Sequence, residues 1–178
     1  MKLKTFFRIS LVIVTLLIIS NNAFSKGKEV PYLRNGISFS IADGWKVIAN
    51  DSIGDNAYYF SAERTGPKAT GLMTVTWANK IETPANTMAQ HMQSMKSANM
   101  YRNPGIEFAT VNPDTFAGMK GVSCRYTTFV KDLKLEGVIY CFNSSQKTVT
   151  VFFQTGIDDQ KLNEKAFALI RLTFNCRE

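Results

Sequence analysis

Leu135-Glu136-Gly137-Val138-Ile139-Tyr140-Cys141-Phe142 is the stretch that decides the fold class. Successive side chains of a strand point to opposite faces of its sheet. Ile139 and Cys141 therefore share one face, Tyr140 and Phe142 share the other, and both faces are partly apolar. A sheet wetted on one side reads as an alternation of apolar and polar residues, so a strand apolar on both sides needs cover on both. Tyr58-Tyr59-Phe60 makes a similar demand, because three consecutive rings in a strand cannot all face one core. Helices elsewhere in the chain are the expected cover.

Working outward, Gly118 to Val130 reads as the preceding strand, with Lys131-Asp132-Leu133-Lys134 as a four-residue loop. That register sets Thr128 against Gly137, Tyr126 against Ile139 and Cys124 against Cys141. Cysteines opposed on antiparallel strands have Cα atoms roughly 4.5–5.5 Å apart, inside the disulfide window. Cys124 and Cys141 are therefore disulfide candidates, and the alternative is two reduced thiols acting as small core residues. Cys176 is left over, either as a substitute partner or as a free thiol.

Farther out, Ile37, Phe39 and Ile41 alternate with small or polar residues, as one face of a strand. Ala42-Asp43-Gly44 is a turn, and Trp45-Lys46-Val47-Ile48 begins the next strand. Strands are also expected at Ala57 to Glu63, Leu72 to Ala78, Ile106 to Val111 and Thr148 to Gln154. Thr83-Pro84 caps and opens a helix whose Ala85, Met88, Met92 and Met95 fall at helical spacing, ending before a break at Asn103-Pro104-Gly105. A closing helix starts near Asp158, with Asp158 and Asp159 at the positive end of its dipole and Leu162, Ala166, Leu169 and Ile170 as its stripe. The order of elements gives an α+β fold, an antiparallel sheet flanked by helices as an α/β/α sandwich.

The first 25 residues read differently from the rest. Lys2, Lys4 and Arg8 precede an apolar run, Leu11 to Ile19, that only Thr15 interrupts, and Ala23-Phe24-Ser25 places small residues at a cleavage site. This is the pattern of a secretory signal peptide. The run falls short of the roughly 20 apolar residues that span a bilayer, so no stable membrane span is expected after cleavage. Residues 26–178 then form one domain, exported to a periplasm or the extracellular space. The formal charge of +7 includes those three basic residues, and the remaining Lys and Arg are scattered. No basic block or nucleic-acid motif is present, so no nucleic-acid partner is expected.

Chemistry is constrained by the single histidine, His91. A multi-histidine metal centre within one chain is excluded, and any Ser-His or Cys-His machinery has to pass through that ring. Read for function, Met88, His91, Met92 and Met95 resemble a soft-metal site of the kind Cu(I) prefers. Read for packing, the methionines are the core stripe of their helix and His91 lies at its edge. The sequence contains no P-loop, nucleophile elbow, H-E-x-x-H or calcium loop. Glu63, Glu107 and Glu136 sit in predicted strands as charges on a wet face. Asn143-Ser144-Ser145 matches a glycosylation acceptor, which matters only in a eukaryotic secretory route. The expectation is a protein that is not an enzyme and needs no cofactor.

Asn35 through Val47, running from a glycine and alternating apolar residues through a turn to Trp45, resembles the opening of PsbP-like domains, including the DcrB-like proteins of bacterial periplasms. The ending is similar too, with Val149-Thr150-Val151-Phe152-Phe153 before the closing helix. In place of the proline common before the turn, this chain has Ala42. The resemblance implies an antiparallel sheet between helices and supplies no catalytic residue. It points to an accessory or binding protein of the cell envelope, whose partner is an envelope protein or a small ligand.

Overall fold

The computed structural model describes residues 29–101 and 105–177. The signal-like segment and most of the break at Asn103-Pro104-Gly105 lie outside the described residues. Eleven strands and two α-helices follow in chain order: β1 Val30–Arg34, β2 Ile37–Ile41, β3 Trp45–Ile53, β4 Ala57–Arg64, β5 Leu72–Ala78, α1 Pro84–Ser97, β6 Ile106–Phe108, β7 Asn112–Phe116, β8 Met119–Val130, β9 Leu133–Ser144, β10 Lys147–Gly156, α2 Gln160–Thr173 and β11 Asn175–Cys176. An eight-stranded sheet has the order β3-β4-β5-β10-β9-β8-β6, with β7 also paired to β8, and a three-stranded sheet has the order β1-β2-β11. All the recorded pairings are antiparallel.

Two sheets arise because the first turn is tighter than the alternation alone implied. Asn35 and Gly36 both take positive φ, 47° and 79°, the signature of a two-residue hairpin turn whose twist suits its strands. That turn pairs β1 with β2. The chain then leaves the small sheet at Ala42 to Gly44, and Trp45 pairs with Arg64 in the large one. The strands on either side of Ala42-Asp43-Gly44 are therefore not partners, which corrects the hairpin that a turn there implied. The strand expected from Ile106 to Val111 ends at Phe108, and β7, which the sequence reading did not include, begins beyond it at Asn112.

Every residue of β10 is buried, as a strand covered on both faces must be. Val149, Val151 and Phe153 enter a core shared with Ile37 and Phe39 of the small sheet and Ile170 of α2. Phe152 enters the opposite core with Ile139, Cys141 and the α1 residues Met88 and Met95. One face of the large sheet is thus covered by α1, and the other by the small sheet together with α2. Thr83 caps α1 as its sequence predicted, its Oγ1 accepting from the Asn86 N–H at 3.3 Å.

The central hairpin is longer and tighter than expected. Its loop is Lys131-Asp132 alone, with Val130 paired to Leu133 and Lys131 at φ 55°. Continuing the ladder through Leu133 and Lys134 satisfies backbone groups that a four-residue loop leaves to solvent. The register consequently shifts by two: Tyr126 faces Gly137, Cys124 faces Ile139, and Cys141 faces Val122. A two-residue shift preserves the faces, so both cysteines remain in the α1 core but are not opposed, which removes the basis for the Cys124–Cys141 pairing. All three cysteines are free. Cys124 Sγ donates to the Ala109 carbonyl at 3.2 Å. Burial pushes the Cys141 thiol up to about 11.

The closing helix turns most of the predicted stripe inward, through Ala166 and Ile170, and departs from it at its first member. Asn163, Ala166 and Ile170 are buried, whereas Leu162 is 62% exposed. Asp158 and Asp159 make no side-chain cap on α2. Asp159 instead pairs with Arg64 at 2.6 Å and accepts from the Thr70 hydroxyl at 2.8 Å. The Thr70 and Arg64 contacts hold its carboxyl below the usual range.

Candidate functional site

The residues singled out from sequence for metal binding lie on α1, where packing uses most of them. Met88 and Met95 are buried in the α1 core and Met92 packs partly against it. His91 sits at the edge of that stripe, half-buried, its ring 6.1 Å from the ring of Phe152. Burial lowers the His91 pKa from 6.5, which keeps the imidazole neutral at neutral pH. Asn143 is occupied as well, its side-chain amide donating to the Glu82 carbonyl at 2.9 Å.

The site that geometry builds lies on the opposite face of the sheet. A cleft of about 710 Å³ opens between α2 and the strands β6, β8 and β9. That volume falls within the range of small-ligand pockets. Its walls follow from register. Directly paired residues share a face, so Glu107, Thr127, Glu136 and Thr155 form one row across β6, β8, β9 and β10. The next row on this face is Arg125, Val138 and Phe153, and the one after is Ser123, Tyr140 and Val151.

Helix α2 descends these rows in step. The Asn163 side-chain amide donates to Thr155 Oγ1 at 2.7 Å, Phe167 stacks on Phe153 at 4.5 Å, and Arg171 donates to the Tyr140 hydroxyl. Four helical residues rise about 6 Å and two strand residues about 6.8 Å, which is why contacts four apart on α2 meet side chains two apart on the strands. Gln160, Glu164, Ala168 and Leu172 are left facing the cleft. Leu172 is 83% exposed, a large apolar side chain on the rim.

The charges in the cleft are sorted by position. Glu107, Glu136 and Glu164 gather at the end where α2 begins, Arg125 lies in the middle row beside Val138, and Arg171 lies toward the end where α2 finishes. Val138, Phe153 and Phe167 form the apolar middle. Arg171 holds its guanidinium 4.8 Å from the centre of the Tyr140 ring. Burial pushes the Tyr140 hydroxyl above its ordinary value, and the nearby Arg171 opposes that shift. Glu107, Glu136, Glu164 and Arg125 make no side-chain hydrogen bond or ion pair among the described residues. Sequence alone placed Glu107 and Glu136 on a wet face but could not bring them together, because their row exists only once two strand registers are known.

With this geometry in hand, solved structures supply the comparison. CyanoP, the cyanobacterial PsbP of Synechocystis sp. PCC 6803, superposes with a TM-score of 0.61 at 12% identity, covering 88% of this chain and 96% of that one. The fold is PsbP-like. LpqN of Mycobacterium tuberculosis, described as involved in cell envelope biogenesis, shares this PsbP-like fold with a TM-score of 0.56 at 13% identity, over 85% of this chain and 91% of its own. No family model matches the sequence, and no curated protein does. Among the described residues no helix is long and apolar enough to cross a membrane.

Proposed function

We propose that the chain is an exported, non-enzymatic accessory or binding protein of the cell envelope, and that it acts through the cleft between α2 and the sheet. The observation that carries this reading is the cleft itself. An apolar floor bears four charged side chains that have no partner among the described residues. Charges held unpaired beside apolar surface are suited to recognition, since a ligand can complete them. The signal-like first 25 residues support export, and the envelope role described for LpqN agrees with it. Catalysis has no comparable support: the one histidine lies on the opposite face of the sheet from the cleft, against Phe152.

The test is a photo-crosslinking amino acid placed at Leu172 in the full chain, expressed in its own envelope. A reproducible adduct that is lost when the crosslinker is moved to exposed Ile53 on β3 supports the reading. Equal labelling from both positions, or none from Leu172, defeats it. N-terminal sequencing of the envelope form tests export separately, with Lys26 as the expected first residue.

A further inference from the structure

We infer that the cleft holds an extended peptide segment of a partner protein, with a basic side chain at the α2 start, an apolar one in the middle and an acidic one at the far end. This rests on the reading of the chain as a binding protein and specifies its ligand. The strand spacing acts as a ruler. Glu136, Val138 and Tyr140 lie on one face of β9, two residues apart, with Arg171 bonded to the Tyr140 hydroxyl. The acidic row and the Arg171 row are thus four strand residues apart, about 13–14 Å.

A peptide in extended conformation has the same rise per residue and the same two-residue period. Its residues i, i+2 and i+4 therefore fall one row apart along the cleft. A Lys or Arg at i meets Glu107, Glu136 and Glu164. An apolar residue at i+2 meets Val138, Phe153 and Phe167. An Asp or Glu at i+4 meets Arg171, with Arg125 one row behind. A uniformly charged ligand satisfies one end and is repelled at the other. The split in charge is thus a selection rule.

The probe is a fluorescently labelled peptide with both ends blocked, Lys-Ala-Phe-Ala-Glu, titrated against the full chain by anisotropy. Its control has the same composition with the Lys and Glu adjacent. The expected result is saturable binding at least tenfold tighter for the spaced peptide. The double variant Glu107→Lys with Glu136→Lys should lose that preference and gain affinity for Glu-Ala-Phe-Ala-Glu, while circular dichroism confirms that it is folded. Equal binding of both peptides, or binding indifferent to the reversal, overturns the inference. If no peptide binds but the Leu172 crosslinker still captures a partner, the peptide assignment fails and the functional reading survives. If neither occurs, both fail.

Discussion

The two faces of the large sheet are built from the same strands and finished differently. Under α1 the surface is closed: Met88, Ile139 and Cys141 are all fully buried, and the buried Tyr101 and Tyr126 hydroxyls both donate to Gln154 Oε1 at 3.1 Å. Beside α2 the rows of β8 and β9 run out past the helix and carry Glu107, Glu136 and Arg125, which make no ion pair among the described residues. Alternation makes this division possible, because neighbouring residues of one strand serve different faces. Phe152 belongs to the closed side, while Phe153 floors the open one. Stability and the proposed recognition are therefore separable at single-residue resolution, and substitution can test the separation.

The largest loss is expected on the closed face. Phe152→Ala empties a site lined by the stacked Tyr126 ring, and removing a buried Phe costs about 3–5 kcal/mol. Chemical denaturation should show that loss, with peptide or partner binding unchanged under conditions where the variant is folded. Gly137→Ala should follow. A Cβ there meets the Phe153 carbonyl oxygen at 2.2 Å and the Tyr126 hydroxyl oxygen at 2.5 Å. Neither neighbour can move without breaking the β10 ladder or the Gln154 hydrogen bond, so a cost of about 2–3 kcal/mol is expected. A melting temperature equal to that of the parent would show that the closed face has room for the added methyl group.

Lys131→Gly is expected to act in the other direction. Lys131 holds φ 55° in the two-residue loop of the central hairpin, a conformation that costs a side-chain-bearing residue about 1 kcal/mol and glycine little. Part of the gain is offset by the greater freedom of glycine in the unfolded chain. A net rise of about 0.5 kcal/mol is expected, and a net fall would contradict the tight loop and the register it sets.

How much of this was legible in the sequence divides along the same line as the two faces. The closed face could be read because its signals are local. Thr83-Pro84 marks where α1 starts, the Met stripe gives the helix its inward side, and Ile139 and Cys141 alternate with Tyr140 and Phe142. The open face depends on register, which is a relation between distant segments. One loop taken as four residues instead of two displaced Cys124 by two positions. The cleft row of Glu107, Thr127 and Glu136 needs two such registers at once, so its members looked like separate wet-face charges. The closing helix misled for a related reason. Leu162 has the periodicity of a core residue, but Asn163 takes the inward place because Thr155 offers its amide a hydrogen-bond partner. The small sheet did announce itself in Asn35-Gly36, a dipeptide whose turn chemistry outweighs the alternation that follows it.

Acid should loosen the closed side through His91. Burial lowers its pKa in the folded state below 6.5, so the unfolded chain binds the proton more readily. Stability is then fully present above about pH 6.5 and falls as the pH drops from there through the folded pKa. Denaturation midpoints measured from pH 7.5 down to pH 5 should decline, and His91→Gln should flatten that part of the curve. Asp159 contributes separately and at lower pH. Its lowered pKa places its loss below the ordinary carboxylate value of 3.8, outside the range in which His91 is read.

The smallest stability effect carries the most weight for the comparison. Leu172 is an apolar side chain left in solvent at the cleft rim. A surface substitution clear of caps, cavities and buried polar groups changes stability by no more than about 0.5 kcal/mol. Leu172→Ser should therefore leave the denaturation midpoint where it is. If the cleft binds, the same change removes apolar surface from the contact and weakens the spaced peptide severalfold. Both parts are needed. A variant that is destabilised places Leu172 in the packing of α2, and one that binds unchanged removes the rim from the recognition surface. An unchanged midpoint together with weakened binding is the pattern in which one strand layer provides stability on one face and recognition on the other.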